Sequence, residues 1–95
     1  NTLFVPDAFS PNGDGLNDTW IIDNIEAYPN AEVGIFNRYG MEVFKTKGYT
    51  NNWDGTYKAP GGENLPDGAY YYVITMEGSD KVYKGALNVL RGQVK

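Results

Sequence analysis

Apolar residues recur at every second position over several short stretches of this chain, and that spacing is typical of half-buried β-strands. Residues 31–36 and 41–44 follow the pattern and flank the turn-forming residues 37–40, which predicts a β-hairpin. Short apolar or β-branched stretches at 3–5 and 20–25 predict two further strands before the hairpin. No stretch shows the 3.6-residue period of an amphipathic helix.

The clearest strand is predicted over residues 69–76. Its two faces carry Tyr70, Tyr72 and Ile74 on one side, and Tyr71 and Val73 on the other. One of these faces must fill the core, so we expect about half of these tyrosines to be structural. A turn at 78–80 leads into a last strand, 81–90, which is predicted to pair with 69–76.

Residues 45–66 show no period, because glycine, asparagine and proline interrupt them throughout. We interpret them as a long connection between two sheets, with Trp53 in the core. About seven short strands separated by turns predict an immunoglobulin-like antiparallel β-sandwich. A chain of 95 residues has room for one such core, so residues 1–95 are expected to form a single domain, monomeric on its own. Removal of the chain from about Val82 onward should abolish folding.

Composition and charge exclude several classes of function. The net charge is −4 and the eight basic residues are scattered, so no basic patch is available to bind nucleic acid. No apolar run approaches the roughly 20 residues that span a bilayer. Residues 1–4 lack the features of a signal peptide, so we expect any export signal to lie upstream of this module. The chain has no histidine and no cysteine, and a small sandwich offers no deep cleft, so we expect no enzyme.

The most distinctive segment is the glycine-rich loop at residues 9–20, F-S-P-N-G-D-G-L-N-D-T-W. Its side-chain oxygens on Asn12, Asp14 and Asp18 are ligands that a hard cation such as calcium prefers. Asp7 or the carbonyl of Leu16 would complete the shell. An EF-hand is excluded, because Ile21 stands where that loop needs a bidentate glutamate.

A second interpretation of this loop requires no metal. Asn12, Asp14, Asn17 and Asp18 are residues that form turns by hydrogen-bonding their own backbone. Four ligands fall short of the six to eight that calcium usually takes. We therefore prefer the turn-forming interpretation and keep calcium as the alternative.

Four short boxes along the chain carry a family resemblance. The opening loop is followed by N-R-Y-G at 37–40, W-D-G at 53–55 and L-P-D-G-A-Y-Y-Y at 65–72, and the last strand ends near Arg91. In this order and spacing they resemble the gliding-motility-associated C-terminal domain, the type B C-terminal sorting domain of bacterial type IX secretion. The resemblance runs from about Phe4 to Arg91. One departure is Tyr39, where the family commonly has tryptophan.

The resemblance implies a non-catalytic address domain. Type IX outer-membrane machinery and its shuttle proteins would recognise it in the periplasm and carry an upstream passenger to the cell surface or the medium. Folded sandwiches are usually recognised at an edge or at a loop cluster. The candidate recognition loops are therefore the opening loop, with Asn12, Asp14, Asn17 and Asp18, and the turn with Asn37, Arg38 and Tyr39.

Two other functions remain open from the sequence. Outward tyrosines, with Tyr39, Tyr49 or Tyr57 among the candidates, would suit a carbohydrate-binding or adhesive module, because aromatic rings stack on sugars. Core packing is the preferred role for most of the tyrosines. A spacer within a long surface protein is the remaining possibility, and fold alone does not separate these functions.

Overall fold

The computed structural model describes residues 3–11, 13, 18–78 and 80–91, and these form an almost entirely β structure. The elements in chain order are β1 (Ala8–Phe9), a 3-10 helix (Ile25–Ala27), β2 (Glu32–Phe36), β3 (Glu42–Lys47), β4 (Gly68–Thr75) and β5 (Val82–Val89). The strands form one sheet in the order β1-β5-β4-β2-β3. The predicted all-β class is confirmed.

Strand pairing follows the predicted hairpins, with one exception. β2 pairs antiparallel with β3, and β4 pairs antiparallel with β5 along its whole length and with β2 along residues 71–75. β1 instead pairs with β5 in parallel, with Ala8 opposite Asn88. The sheet is therefore mixed rather than purely antiparallel. A strand of two residues is too short to show alternation in the sequence, so the pattern did not reveal it.

The sheet buries one face and leaves the other exposed. The buried face carries Phe9, Val33, Ile35, Phe44, Tyr70, Ile74, Leu87 and Val89. Tyr71 lies on the opposite face and is 46% exposed, with Lys45 and Lys84 on the same side. The predicted division of the β4 side chains between core and solvent is thus confirmed, because successive strand residues point to opposite faces.

A second layer, here called the loop layer (residues 18–27 and 48–65), supplies the other half of the core. It is mostly irregular, and of the strands predicted at 3–5 and 20–25 only an isolated bridge between Phe4 and Asp23 forms. The described residues therefore contain five strands rather than about seven. The physical reason is that other partners take up the backbone groups. The Trp20 N–H donates to the Trp53 carbonyl, and the Ile22 N–H donates to the Asn51 side chain.

Trp53 is fully buried, which confirms its predicted place in the core. Its ring centroid lies 5.6 Å from that of Phe9 on β1 and 5.6 Å from that of Phe44 on β3. These are the two edge strands, which would be about 19 Å apart in a flat five-stranded sheet. One indole reaching both edges therefore requires a strongly twisted sheet that wraps around Trp53.

Candidate recognition groove

The topology collects several loops at one end of the sheet. The pairings of Phe9 with Val89, of Val89 with Gly68 and of Phe36 with Glu42 place three strand ends and two strand beginnings together. We call this the loop end. It comprises Ser10–Pro11, the turn at residues 37–40, Asp54–Gly55, Leu65–Asp67 and Arg91. All four sequence boxes therefore contribute to the same end of the molecule.

A groove of about 380 Å³ lies at the loop end, between residues 37–39 and residues 65–71. The first wall is the β2–β3 turn. The Asn37 side-chain oxygen accepts hydrogen bonds from the N–H groups of Tyr39, at 2.9 Å, and Met41, at 3.0 Å. Gly40 has a φ of 82°, which glycine adopts without strain. Asn37 therefore stabilises the turn, and the exposed side chains are those of Arg38 and Tyr39.

Arg38 and Tyr39 project together from this turn. Tyr39 is 75% exposed, and the Arg38 guanidinium carbon lies 5.1 Å from its ring centroid. Arg38 Nη2 also donates to the Tyr39 hydroxyl at 3.1 Å. Among the residues that the structure describes, no carboxylate forms an ion pair with Arg38. This wall thus presents a cation and an aromatic face to solvent.

Arg91 holds the second wall in place. Its guanidinium donates to the carbonyls of Leu65 and Gly55, the latter at 3.0 Å, and lies 4.0 Å from the Asp67 carboxylate. A Cβ on Gly55 would come within 2.5 Å of the guanidinium, so glycine is required for this close approach. Arg91 therefore ties the end of β5 to the W-D-G and L-P-D-G boxes.

Tyr70 fixes the same wall from the core side. Its hydroxyl donates to the Pro66 carbonyl at 2.6 Å, and its ring lies on the buried face of β4. Burial raises the pKa of the Tyr70 hydroxyl, an effect that Arg91 opposes and Asp67 reinforces. The hydrogen bond to Pro66 keeps the segment before β4 in one position.

Sequence reasoning did not identify Arg91 as the residue that organises this end. It treated the W-D-G and L-P-D-G boxes as separate turns, and Arg91 only as the end of a strand. The residues that Arg91 bonds are 26 and 36 positions away along the chain, so no local spacing could have revealed the contact. The boxes themselves were the available signal, because their order and spacing carried the family resemblance.

The opening loop is only partly described. Asn12, Asp14, Leu16 and Asn17 lie outside the described residues. Asp18 lies within them, and one of its carboxylate oxygens accepts a hydrogen bond from the Gly13 N–H at 2.9 Å. The part of the chain that the structure describes contains no group of three or more acidic residues that would hold a metal. The calcium site stays a prediction.

The exposed tyrosines differ from those expected in one case. Tyr49, a candidate for sugar stacking, is buried, and its hydroxyl donates to the Trp20 carbonyl at 2.6 Å. That expectation was wrong, because the loop layer needs this side chain to satisfy its backbone. Tyr39, Tyr57 and Tyr71 are exposed, and two of them, Tyr39 and Tyr71, line the groove.

Comparison with known families identifies the chain. A family model described as the CHU_C type IX secretion signal domain matches residues 3–89, which is nearly the whole sequence. No curated protein and no solved structure matches significantly. Within the described residues, no helix is long and apolar enough to cross a membrane. The chain belongs to the CHU_C type IX secretion signal family, as the four boxes indicated, and that family is one of sorting signals rather than catalytic domains.

Proposed function

We propose that this domain directs an upstream passenger through the type IX secretion system to the cell surface or the medium, and that the loop end is the surface by which it is recognised. The family match supports a sorting role in general. The gathering of the four boxes at one end of the sheet, two of them bonded by Arg91, supports the choice of surface.

The partners would be the outer-membrane components and shuttle proteins of the secretion system. A surface that is rigid before binding favours recognition, because ordering a loop on binding weakens affinity. Both walls of the groove are held in this way. The turn is fixed by Asn37 and the opposite wall by Arg91 and Tyr70.

Export of a reporter tests the proposal. A fluorescent protein is placed between a Sec signal and this chain, in a bacterium with an intact type IX system and in a sibling that lacks the translocon. We expect reporter outside the wild-type cell and in the periplasm of the mutant. Periplasmic retention in both strains would contradict the proposed function.

Paired variants then test the surface. Arg38→Ala with Tyr39→Ala at the loop end should reduce export strongly. Glu77→Ala, an exposed residue in the turn between β4 and β5 at the opposite end, should not. Both proteins must melt at the wild-type temperature for the comparison to count. Equal export by all three would show that another surface is recognised.

The carbohydrate-binding alternative rests on one observation, the presence of the exposed Tyr39 and Tyr71 in a single groove. Stacking of a sugar ring on either tyrosine would be lost with its ring. The measurement is a glycan-array screen of the wild-type domain beside Tyr39→Ala. Binding that disappears in the variant would favour this function over sorting.

A further inference from the structure

The groove is bordered by main-chain groups of a strand as well as by side chains, and this favours a particular class of ligand. β4 is eight residues long, but β2 pairs only with its residues 71–75. Residues 68–70 of β4 therefore extend beyond β2, and no strand in the described part of the chain pairs with them on that side. The groove lies beside this extension.

The hydrogen-bonding phase of β5 shows where the backbone of Ala69 points. Ala69 is opposite Asn88, and the Asn88 N–H donates to the Asp7 carbonyl, on the side away from β4. In an antiparallel pair the N–H and C=O of one residue point to the same side, so Ala69 and Asn88 form a non-hydrogen-bonded pair. The N–H and C=O of Ala69 consequently point away from β5 and toward the groove, and Ala69 is exposed.

The side chains around Ala69 suit a polypeptide with mixed chemistry. Tyr71, on the same face of β4, and Tyr39, across the groove, offer apolar surface. Arg38 offers a guanidinium whose described partners are only the ring and hydroxyl of Tyr39. The other cation at this end, Arg91, is already engaged by three carbonyls and Asp67. In a polypeptide, the strongest partner for a guanidinium is a carboxylate, which accepts two parallel hydrogen bonds from it.

We propose that the groove binds an extended protein segment that lies alongside residues 68–70 of β4, exchanges main-chain hydrogen bonds with Ala69 and presents a carboxylate side chain to Arg38. Addition of a strand to an open strand end is an established mode of peptide recognition. Main-chain groups that point into the groove favour a polypeptide over a sugar. The inference rests on the proposed function only for the identity of the partner, a component of the secretion machinery.

Peptide binding tests the groove without reference to export. The probes are overlapping synthetic peptides that tile the periplasmic regions of the type IX outer-membrane components, each made with its acidic residues and with the corresponding amides. Binding to the isolated domain is followed by fluorescence anisotropy. We expect at least one acidic peptide to bind, and its amide version to bind about tenfold more weakly.

Matched variants of the domain assign that binding to the groove. Arg38→Gln should weaken it by about tenfold, as should N-methylation of the peptide at the position facing Ala69. Lys58→Gln is the control, because the Lys58 ammonium also lies over a neighbouring aromatic ring, 5.6 Å from the Tyr57 centroid, yet does not line the groove. N-methylation alters the ligand, so this arm does not depend on whether a domain variant folds.

The outcomes separate the two proposals. The groove inference is overturned when no peptide binds, or when binding is unaffected by Arg38→Gln and by N-methylation. If the wild-type domain binds a peptide but does not export the reporter, the sorting function is contradicted and the groove inference is supported. If the reporter is exported normally, export is insensitive to Arg38→Gln and no peptide binds, the sorting function is supported and the groove inference is contradicted.

Discussion

The sheet and the loop layer bury their side chains equally well but hold their backbones by different means. Ile35 and Ile74 in the sheet are as fully buried as Trp20 and Trp53 in the loop layer. In the sheet, ladder hydrogen bonds between strands satisfy the backbone. In the loop layer, side chains such as Asn51 and Tyr49 supply many of the hydrogen bonds to the backbone. A ladder distributes its bonds over many residues, whereas the loop layer depends on particular side chains. Single substitutions in the loop layer should therefore lower the free energy of unfolding more.

The largest effect should come from removing a whole strand. β5 pairs with β4 at every position and also carries β1, so a chain that ends before Val82 loses both partners at once. It also loses the fully buried Leu87 and Val89. We expect this truncated chain to be unfolded, as measured by circular dichroism and thermal melting.

A cooperative melt of the truncated chain would contradict this expectation. It would mean that the loop layer and the three strands that still pair with one another, β2, β3 and β4, form a stable core without β5. The full-length chain, melted in parallel, is the control.

Within the loop layer, Trp53 should be the most costly single position. Trp53→Ala removes the ring that packs against both edge strands, and burying large aromatic side chains is worth about 3–5 kcal/mol relative to alanine. The free energy of unfolding is measured by urea denaturation. Tyr57→Ala, an exposed aromatic in the same segment, is the matched control and should cost little. Equal costs would show that Trp53 does not hold the two edges together.

Arg91 joins the two regions, so its loss should separate them. Arg91→Ala leaves the Leu65 carbonyl without its donor and the Gly55 carbonyl with the Leu65 N–H alone, and we expect a loss of about 2 kcal/mol. The local readout is hydrogen exchange at the Leu65 N–H, which bonds the Gly55 carbonyl at 2.9 Å. In Arg91→Ala the exchange of this amide should become faster than in the wild type, whereas exchange of the amides in β4 should change less.

Lys84→Ala is the control for Arg91→Ala, because it removes an exposed cation from β5, the strand that precedes Arg91. It should change neither stability nor exchange. If Arg91→Ala instead lowered protection evenly through the sheet, Arg91 would be a general support of the fold rather than a tie to the loop end.

Tyr49 should show the cost of one side-chain hydroxyl. Its hydroxyl donates to the Trp20 carbonyl and accepts from the Trp53 N–H at 3.1 Å, so Tyr49→Phe leaves two buried backbone groups unpaired. We expect a loss of about 1–3 kcal/mol in the free energy of unfolding. Tyr57→Phe removes the same atom from an exposed ring and is the matched control.

The pH dependence of this variant gives a second test. Burial raises the pKa of Tyr49 above its ordinary value of 10.0, whereas the Trp53 N–H lowers it. The folded state therefore keeps this proton when the unfolded state releases it. Stability is complete below pH 10 and falls as the pH rises further. The fall should be smaller in Tyr49→Phe, and equal slopes in the two proteins would contradict the assignment.

The same comparison explains how much the sequence could predict. The hairpin at residues 37–40 and the two faces of β4 were predictable, because alternation and turn chemistry are local signals. Trp53 was predictable as a core residue but its contact with both edges was not, because that depends on sheet twist. One wall of the groove was predictable from the sequence, because Arg38 and Tyr39 lie in a recognisable turn. The other wall was not, because the extension of β4 beyond β2 depends on the lengths of strands that pair far apart in the chain.

The opening loop provides the smallest predicted effect and separates its two interpretations. The hydrogen bond from the Gly13 N–H to Asp18 predicts that Asp18→Ala lowers stability by about 1 kcal/mol, with calcium or with a chelator. Asp18→Asn keeps an acceptor oxygen and should cost less. A calcium site with a Kd near 1 mM would instead add about 1.4 kcal/mol at about 10 mM calcium. Asn12 and Asp14 would be ligands in that case. A rise in melting temperature on adding calcium that Asp18→Asn abolishes would establish the metal site. A wild-type melting temperature that calcium leaves unchanged would support the turn-forming interpretation.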